Sequence, residues 1–232
     1  MAFRAVFFDL DDTLYPYPPC NEAGKRAAHE AARARGYEFT REEFEAFYQR
    51  GRRETKRELP GEAASHERFL YFEHALYEHT GTARPGDAHA LGSAYWDGYV
   101  EAMDLFDEVP ETLRQLREAD FDIAILTNLT THVQLRKLDV LGLGDEIDLL
   151  VTSEQVGREK PHAAMFTVPL AELGLHADEV LMVGDDPGPD IEGANAVGIE
   201  TALFNCEETG LDGLREPDHH LDSFDEVLEV VL

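Results

Sequence analysis

Lysine, cysteine and long apolar runs are all scarce in this chain of 232 residues. Only 4 of its 20 basic residues are Lys, and 48 acidic residues bring the net charge to -28. A surface this acidic repels polyanions, which excludes nucleic acid and anionic membranes as partners. No apolar run approaches the roughly 18 residues of a membrane helix, and Asp9 interrupts the N-terminal run too early for a signal peptide. We therefore expect a cytoplasmic protein; the composition carries no signal for its oligomeric state.

The two cysteines, Cys20 and Cys206, lie far apart in the sequence and in unlike surroundings. Their spacing fits neither a metal knuckle nor a disulfide framework, which excludes a small scaffold held together by either. The sequence therefore predicts two free thiols.

Surplus carboxylate combined with scarce lysine predicts adaptation to a cytoplasm rich in salt. In molar salt the Debye length is about 3 Å, so the ions screen the self-repulsion that would loosen this fold in dilute buffer. We expect the melting temperature to be higher in molar KCl than in dilute buffer. Thermal unfolding in the two buffers tests this, and an unchanged Tm would contradict it.

Five short apolar runs in the sequence lack the alternation of a half-exposed strand. They cover residues 5–8, 123–126, 149–151, 180–183 and 201–204. Strands that are apolar on both faces are typical of a parallel sheet covered by helices, and the segments between them carry helical periodicity. The sequence thus predicts an α/β fold with a Rossmann-like, doubly wound parallel sheet.

The long stretch between the first and second predicted strands has helical periodicity and no strand pattern. Phe44 and Phe47, for example, fall on one face of a predicted helix. This predicts a smaller, all-helical domain over residues 16–104, inserted into an α/β core made of residues 1–15 and 105–232. Proline-rich and turn-prone segments at both junctions favour a hinge there.

Two groups of acidic residues follow predicted strands directly. The first strand leads into Asp9, Asp11 and Asp12, and the fourth leads into Asp185, Asp186 and Asp190. Ionised groups beside an apolar interior need a counter-charge, and a divalent cation can supply it. The alternative is an exposed acidic turn, which is common in so acidic a chain. Because the pattern occurs at the ends of two strands, we favour a shared site.

Two further segments add groups that can bind an anion. The second strand ends in Thr127 and Asn128, where a hydroxyl and backbone N–H groups can receive phosphate oxygens, although Thr127 could also serve only as a helix cap. Lys160 precedes Pro161, which we place at the first position of a helix. A lysine near a helix start is unfavourable with the helix dipole, so its position calls for another reason.

Together these segments resemble the haloacid dehalogenase superfamily of phosphohydrolases, whose nucleophile is an aspartate. The matching motifs, in order, are Asp9-x-Asp11-x-Thr13, Thr127-Asn128, Lys160-Pro161 and Gly184-Asp185-x4-Asp190. The resemblance spans the chain, and the helical insert matches the cap domain that one subclass carries between its first and second motifs. Each motif alone is weak, but four in sequence with strand context are specific.

The resemblance implies a magnesium-dependent phosphohydrolase. Asp9 would attack phosphorus and form an aspartyl-phosphate, and Asp11 would be the general acid and then the general base. Mg²⁺ would be bound by Asp9, by the backbone carbonyl of Asp11 and by Asp185.

The same resemblance assigns the remaining motif residues. Thr127 and the N–H of Asn128 would hold the phosphoryl oxygens, and Lys160 would neutralise charge on nucleophile and phosphate. Asp190 or Asp186 would orient Lys160 or the water molecules on the metal. A closing cap of limited volume favours a small phosphorylated metabolite as the substrate.

Three alternatives remain open at this point. A 2-haloacid dehalogenase uses the same nucleophile without a metal, but it needs no general acid, whereas Asp11 is present here. A phosphomutase shares the machinery and returns the phosphoryl group to its substrate. A non-catalytic module that binds a phosphorylated ligand is disfavoured because every catalytic position is filled.

Overall fold

The computed structural model describes residues 2–206 and 210–232, and six parallel strands in these residues form one sheet. The strands are β1 (Ala5–Phe8), β2 (Asp122–Thr127), β3 (Leu149–Thr152), β4 (Val180–Gly184), β5 (Glu200–Phe204) and β6 (His219–Leu221). Their order across the sheet is β3-β2-β1-β4-β5-β6. The predicted parallel α/β fold is confirmed, and the strand ends that carry the predicted site lie at the centre of the sheet.

The central strand β1 consists of four residues that are all fully buried. Phe8 at its end lies opposite Ile125 of β2 on one side and opposite Val183 of β4 on the other. All of these strands are parallel, so their carboxyl ends meet at one edge of the sheet. The residue after β1 therefore lies next to the residues that follow β2 and β4.

Strand β6 was not predicted from the sequence. It spans three residues, pairs in parallel with β5 and forms the edge of the sheet. His219 is held there by a 2.8 Å contact between its Nε2 and Glu200 Oε1. A short edge strand that begins with two histidines has no apolar run, so the pattern used for the other strands could not reveal it.

The chain divides into two units: one is Tyr17–Met103, and the other comprises Met1–Pro16 and Asp104–Leu232. The first, the helical unit, contains α1 (Tyr17–Ala34), α2 (Arg41–Glu58), α3 (Arg68–Thr80) and α4 (Pro85–Glu101). In this unit α1 packs against α4, and α3 packs against both α2 and α4. Its interior is aromatic, with Phe47, Phe72 and Tyr95 all buried.

The second unit, the core unit, contains the sheet and the remaining helices. These are α5 (Val109–Glu118), α6 (Thr131–Val140), α7 (Ser153–Val156), α8 (Ala164–Leu173), a π-helical turn (Pro187–Glu192), α9 (Gly193–Asn195) and α10 (Glu226–Val231). Apolar side chains of the strands and of α8, such as Phe7, Met165 and Phe166, form a buried cluster. None of the helices in the described ranges combines the length and the apolar character needed to cross a membrane. Cys20 and Cys206 are both reduced thiols, as predicted.

Candidate active site

Asp9 lies directly after β1 and is fixed to the neighbouring strand. Its backbone N–H donates to the carbonyl oxygen of Val183 in β4 at 2.9 Å. Because β4 ends one residue later, Asp185 follows at the same edge of the sheet. The carboxylates of Asp9, Asp185 and Asp190 have oxygens that all lie within 4.8 Å of one another, a group that can hold a metal ion.

Lys160 provides a cation inside this acidic group. Its Nζ lies 2.5 Å from Asp9 Oδ1 and 2.6 Å from Asp190 Oδ1. The side chains of Lys160 and Asp190 are each only 2% exposed. Burial alone lowers the pKa of Lys160, but Asp190 and Asp9 outweigh it and raise that pKa. Lys160 therefore stays charged and offsets part of the negative charge of the buried carboxylates.

The backbone of Lys160 is held by the side chain of Asn128. Asn128 Oδ1 accepts from the Lys160 N–H at 2.8 Å, and Asn128 Nδ2 donates to the Lys160 carbonyl at 3.3 Å. The prediction that a helix begins at Pro161 is wrong, since α8 begins at Ala164. The N–H of Lys160 is used by Asn128, and a turn in which His162 bonds back to Glu159 precedes the helix. Lys160 therefore lies in this turn and not at the start of a helix.

The loop after β4 positions Asp190. Asp186 accepts from the N–H of Gly188 at 2.9 Å and begins the π-helical turn, and its own N–H donates to Asp190 Oδ2 at 3.2 Å. A Cβ on Gly184 would lie 2.4 Å from Asp190 Oδ2, so only glycine leaves room for this carboxylate. Of the two acids that the sequence offered as partners of Lys160, Asp190 makes the contact and Asp186 caps the turn.

Asp185 has a hydroxyl partner in the first motif. Thr13 Oγ1 donates to Asp185 Oδ1 at 3.2 Å. Burial, followed by the neighbouring carboxylates, raises the pKa of Asp185 to about 9. Burial is also the main cause that raises the pKa of Asp9 to about 7, against the opposing effect of Lys160. The positive charge of Lys160 thus does not balance the carboxylates around it. A divalent cation bound by the carboxylate oxygens would supply the missing positive charge.

Asp11 is bound by a lysine that the sequence analysis did not single out. Lys137 Nζ lies 2.7 Å and 2.9 Å from the two carboxylate oxygens of Asp11, and Tyr15 donates from its hydroxyl to Asp11 Oδ1 at 2.6 Å. The side chain of Lys137 is 1% exposed, whereas that of Asp11 is 30% exposed. Lys137 follows Val133 by four residues in α6 and therefore lies on the apolar face of this helix. A lysine on an apolar face was the signal in the sequence that could have identified Lys137 as a site residue.

Thr127, the last residue of β2, is also buried and bound within the core unit. Its Oγ1 accepts from Gln134 Nε2 at 2.5 Å. Gln134 Oε1 is buried and has no hydrogen-bond partner among the described residues. Gln134 shares the buried face of α6 with Lys137 and, like it, was not singled out from the sequence.

The family model of haloacid dehalogenase-like hydrolases matches residues 3–198. The chain belongs to this family. Among curated proteins it is 56% identical to the ribulose-1,5-bisphosphate 5-phosphatase of Halopiger xanaduensis, over 98% of each chain. It is 31% identical to the glyceraldehyde 3-phosphate phosphatase of Methanopyrus kandleri, over 98% of this chain and 97% of that one. The predictions of the superfamily and of a phosphatase are thus confirmed, and the Halopiger relative is consistent with the predicted halophilic origin.

Solved structures share the fold of this haloacid dehalogenase-like hydrolase. One is the putative HAD-hydrolase YfnB of Bacillus subtilis bound to magnesium, with a TM-score of 0.74, 22% identity and coverage of 100% of this chain and 99% of that one. Another is a 2-haloacid dehalogenase of Pseudomonas syringae, with a TM-score of 0.76, 24% identity and coverage of 98% and 97%. At this identity the likeness shows the fold alone, which is common to phosphatases and dehalogenases.

Proposed function

We propose that this protein is a magnesium-dependent phosphatase that cleaves a small phosphomonoester through an aspartyl-phosphate on Asp9. The observation that carries the proposal is the buried cluster in which Lys160 binds both Asp9 and Asp190, next to Asp185. A carboxylate held at the end of a central strand by a buried ammonium group is positioned to attack a substrate.

Asp9, Asp185 and the backbone carbonyl of Asp11 are the groups that would hold Mg²⁺. They are hard oxygen ligands of the kind this ion prefers. Burial and the neighbouring carboxylates raise the pKa of Asp185, and Mg²⁺ would balance the negative charge of these carboxylates. When bound, the ion neutralises charge on the transferring phosphoryl group. The magnesium-bound state named for YfnB, a protein of the same fold, supports this assignment.

The protein groups divide the reaction into two displacements. A carboxylate oxygen of Asp9 forms a bond to phosphorus while the bond to the leaving alcohol breaks, and Asp11 donates a proton to that alcohol. Asp11 then accepts a proton from the water that attacks phosphorus. The bond from Asp9 to phosphorus breaks in this second step, which releases phosphate and restores the carboxylate.

Thr127, Asn128 and Lys160 would hold the phosphoryl oxygens during both steps. The bond from Gln134 uses Thr127 Oγ1 as an acceptor, which leaves the hydroxyl hydrogen to donate to a phosphoryl oxygen. The N–H of Asn128 would donate to a second oxygen, while its side chain keeps Lys160 in place. Donors fixed in this way need no reorganisation as charge develops on the phosphoryl group.

The substrate we propose is a phosphorylated sugar with a second phosphate, as in ribulose-1,5-bisphosphate. The support is the 56% identity over nearly the whole chain to the relative named for that substrate. Glyceraldehyde 3-phosphate, named for the relative at 31% identity, is likewise a small phosphorylated sugar. The 5-phosphate of a bisphosphate would be the group transferred to Asp9.

Phosphate release from a panel of small phosphomonoesters in molar KCl tests the proposed function. We expect release that requires Mg²⁺, that is strongest with ribulose-1,5-bisphosphate and that Asp185→Asn abolishes at ordinary Mg²⁺ concentrations. Asp107→Asn removes one exposed carboxylate of the core unit and should leave the activity unchanged. Release that is indifferent to Mg²⁺ and to Asp185→Asn would contradict the proposal, as would transfer of the phosphoryl group within the substrate without release.

Lys137 is expected to position the Asp11 side chain for its two proton transfers. Replacement by Met removes both contacts to the Asp11 carboxylate, and we expect kcat to fall about 10- to 100-fold for alkyl phosphates. The loss should be smaller for 4-nitrophenyl phosphate, whose leaving group needs little help from an acid. Steady-state kinetics with both substrates measure this difference.

Lys25→Met is the control for Lys137→Met. Lys25 belongs to the helical unit and pairs with Glu22 and Glu45, so its loss should not change the ratio of the two rates. An equal loss with both substrates in Lys137→Met would contradict the positioning role.

A further inference from the structure

Leu129, the residue that follows Thr127 and Asn128, has an unusual backbone conformation. Its φ is 155°, in a region that residues other than glycine rarely adopt, and the residue is 2% exposed. A backbone in such a region persists only where its surroundings fix it, and residues of this kind cluster at functional sites. The conformation of Leu129 therefore requires a support from the structure around it.

The side chain of Ser153 provides this support. Ser153 is the first residue of α7, directly after β3, and is fully buried. Its Oγ accepts from the N–H of Leu129 at 3.0 Å and donates to the carbonyl oxygen of the same residue at 3.4 Å. Leu129 lies beyond the last paired residues of β2 and β3, so the serine hydroxyl binds backbone groups that the sheet no longer binds.

Asn128 connects the supported residue to the candidate active site. Its side chain binds the backbone N–H and carbonyl of Lys160, and its own carbonyl oxygen lies 3.5 Å from Gln134 Nε2. Its backbone N–H has no hydrogen-bond partner among residues 2–206 and 210–232, so this donor is available to a ligand. Because Asn128 shares a peptide group with Leu129, the backbone of Leu129 helps to determine the direction of this donor.

We propose that Ser153 is a positioning residue for phosphoryl transfer: its bonds to Leu129 maintain the strained turn that directs the Asn128 N–H at the transferring phosphoryl group. The proposal rests on the proposed function and extends it to a residue outside the four sequence motifs. Without the serine hydroxyl, Leu129 relaxes to a negative φ and the peptide group before it rotates. This rotation displaces the Asn128 N–H and the side chain that holds Lys160, and a displacement of about 1 Å can lower a rate about 100-fold.

Kinetics and inhibition of Ser153→Ala test this role. We expect kcat/KM to fall about 10- to 100-fold, by the same factor for an alkyl phosphate and for 4-nitrophenyl phosphate, because both place their phosphoryl group against the same donor. The Ki of orthovanadate, measured with Mg²⁺ in molar KCl, should rise by a comparable factor, because vanadate mimics the phosphoryl group in transit. A residue needed only for stability would change neither quantity at a temperature at which thermal unfolding shows the variant to be folded.

Three further variants keep the test decisive. Ser223→Ala is the matched control, because it makes the same exchange in the core unit and removes only a contact to Asp225; it should change neither quantity. Addition of Leu129→Gly to Ser153→Ala should restore part of the lost rate, since glycine adopts positive φ without support. Should Ser153→Ala fail to fold, Ser153→Cys retains a weak donor and acceptor and should change both quantities in the same direction by smaller factors.

Three results would overturn the inference. The first is an unchanged kcat/KM and orthovanadate Ki in folded Ser153→Ala, which would make the serine structural only. The second is a loss confined to alkyl phosphates, which would assign the effect to proton transfer. The third is no recovery when Leu129→Gly is added, which would show that Ser153 does not act through the strained turn. Phosphate release by the unchanged enzyme, lost in Asp9→Asn, tests the proposed function separately.

Discussion

Asp9→Asn should lower kcat by at least about 10⁴-fold, the scale on which loss of a nucleophile acts in enzymes with covalent intermediates. The amide has nearly the same shape as the carboxylate, but its oxygen is a poor nucleophile and cannot accept the phosphoryl group. It also keeps an oxygen that can accept from Lys160, so we expect the fold to persist. Initial rates of phosphate release with Mg²⁺ in molar KCl measure the effect.

The control for Asp9→Asn is the same exchange at Asp107. Asp107 is an exposed acid of the core unit, so Asp107→Asn changes the net charge equally and should keep full activity. Retention of more than about one percent of the rate in Asp9→Asn would contradict the role of Asp9, since direct attack by water would not require its carboxylate.

Lys160→Met should affect both catalysis and stability. Lys160 is bound to Asp9 and to Asp190, and its side chain is 2% exposed. Removal of one partner of a buried ion pair leaves the other charge uncompensated, which typically costs about 3–5 kcal/mol. Here two carboxylates lose their cation at once. We therefore expect a lower free energy of unfolding and a kcat reduced by about 10²- to 10³-fold, as for the loss of a group that stabilises charge in the transition state.

Denaturant unfolding at constant molar KCl, together with phosphate release, measures both effects of Lys160→Met. Lys25→Met is the matched control, because it removes a lysine of the helical unit that is paired with Glu22 and Glu45. A variant of Lys160 that unfolds at the same denaturant concentration as the unchanged protein and remains active would contradict the account.

The central strands and the carboxylates after them could be predicted because each feature is local. A fully apolar run followed at once by acidic residues identifies β1 with Asp9 and β4 with Asp185. Parallel pairing then brings these residues to one edge without further information. The edge strand β6 lacked this local signal, since only three residues pair there.

The partners of the charged groups could not be predicted because they depend on contacts between distant residues. Lys137 and Asp11 are 126 positions apart, and nothing in the sequence of α6 shows that its lysine points to the first motif. The backbone of Lys160, which precedes α8, is bound by Asn128, 32 positions away. Likewise, the first position of α3 gives no sign that Arg68 is enclosed by the rings of Tyr95 and Trp96.

The central claim is that Asp9 forms a covalent bond to the phosphoryl group. Acid quenching of the enzyme during turnover of ³²P-labelled substrate, followed by proteolysis and mass spectrometry, tests it most directly. The account predicts a label on the peptide that contains Asp9, removed by hydroxylamine as an acyl phosphate should be, and absent in Asp9→Asn. Rapid release of phosphate with no label on that peptide at any time, or with label on another residue, would contradict it.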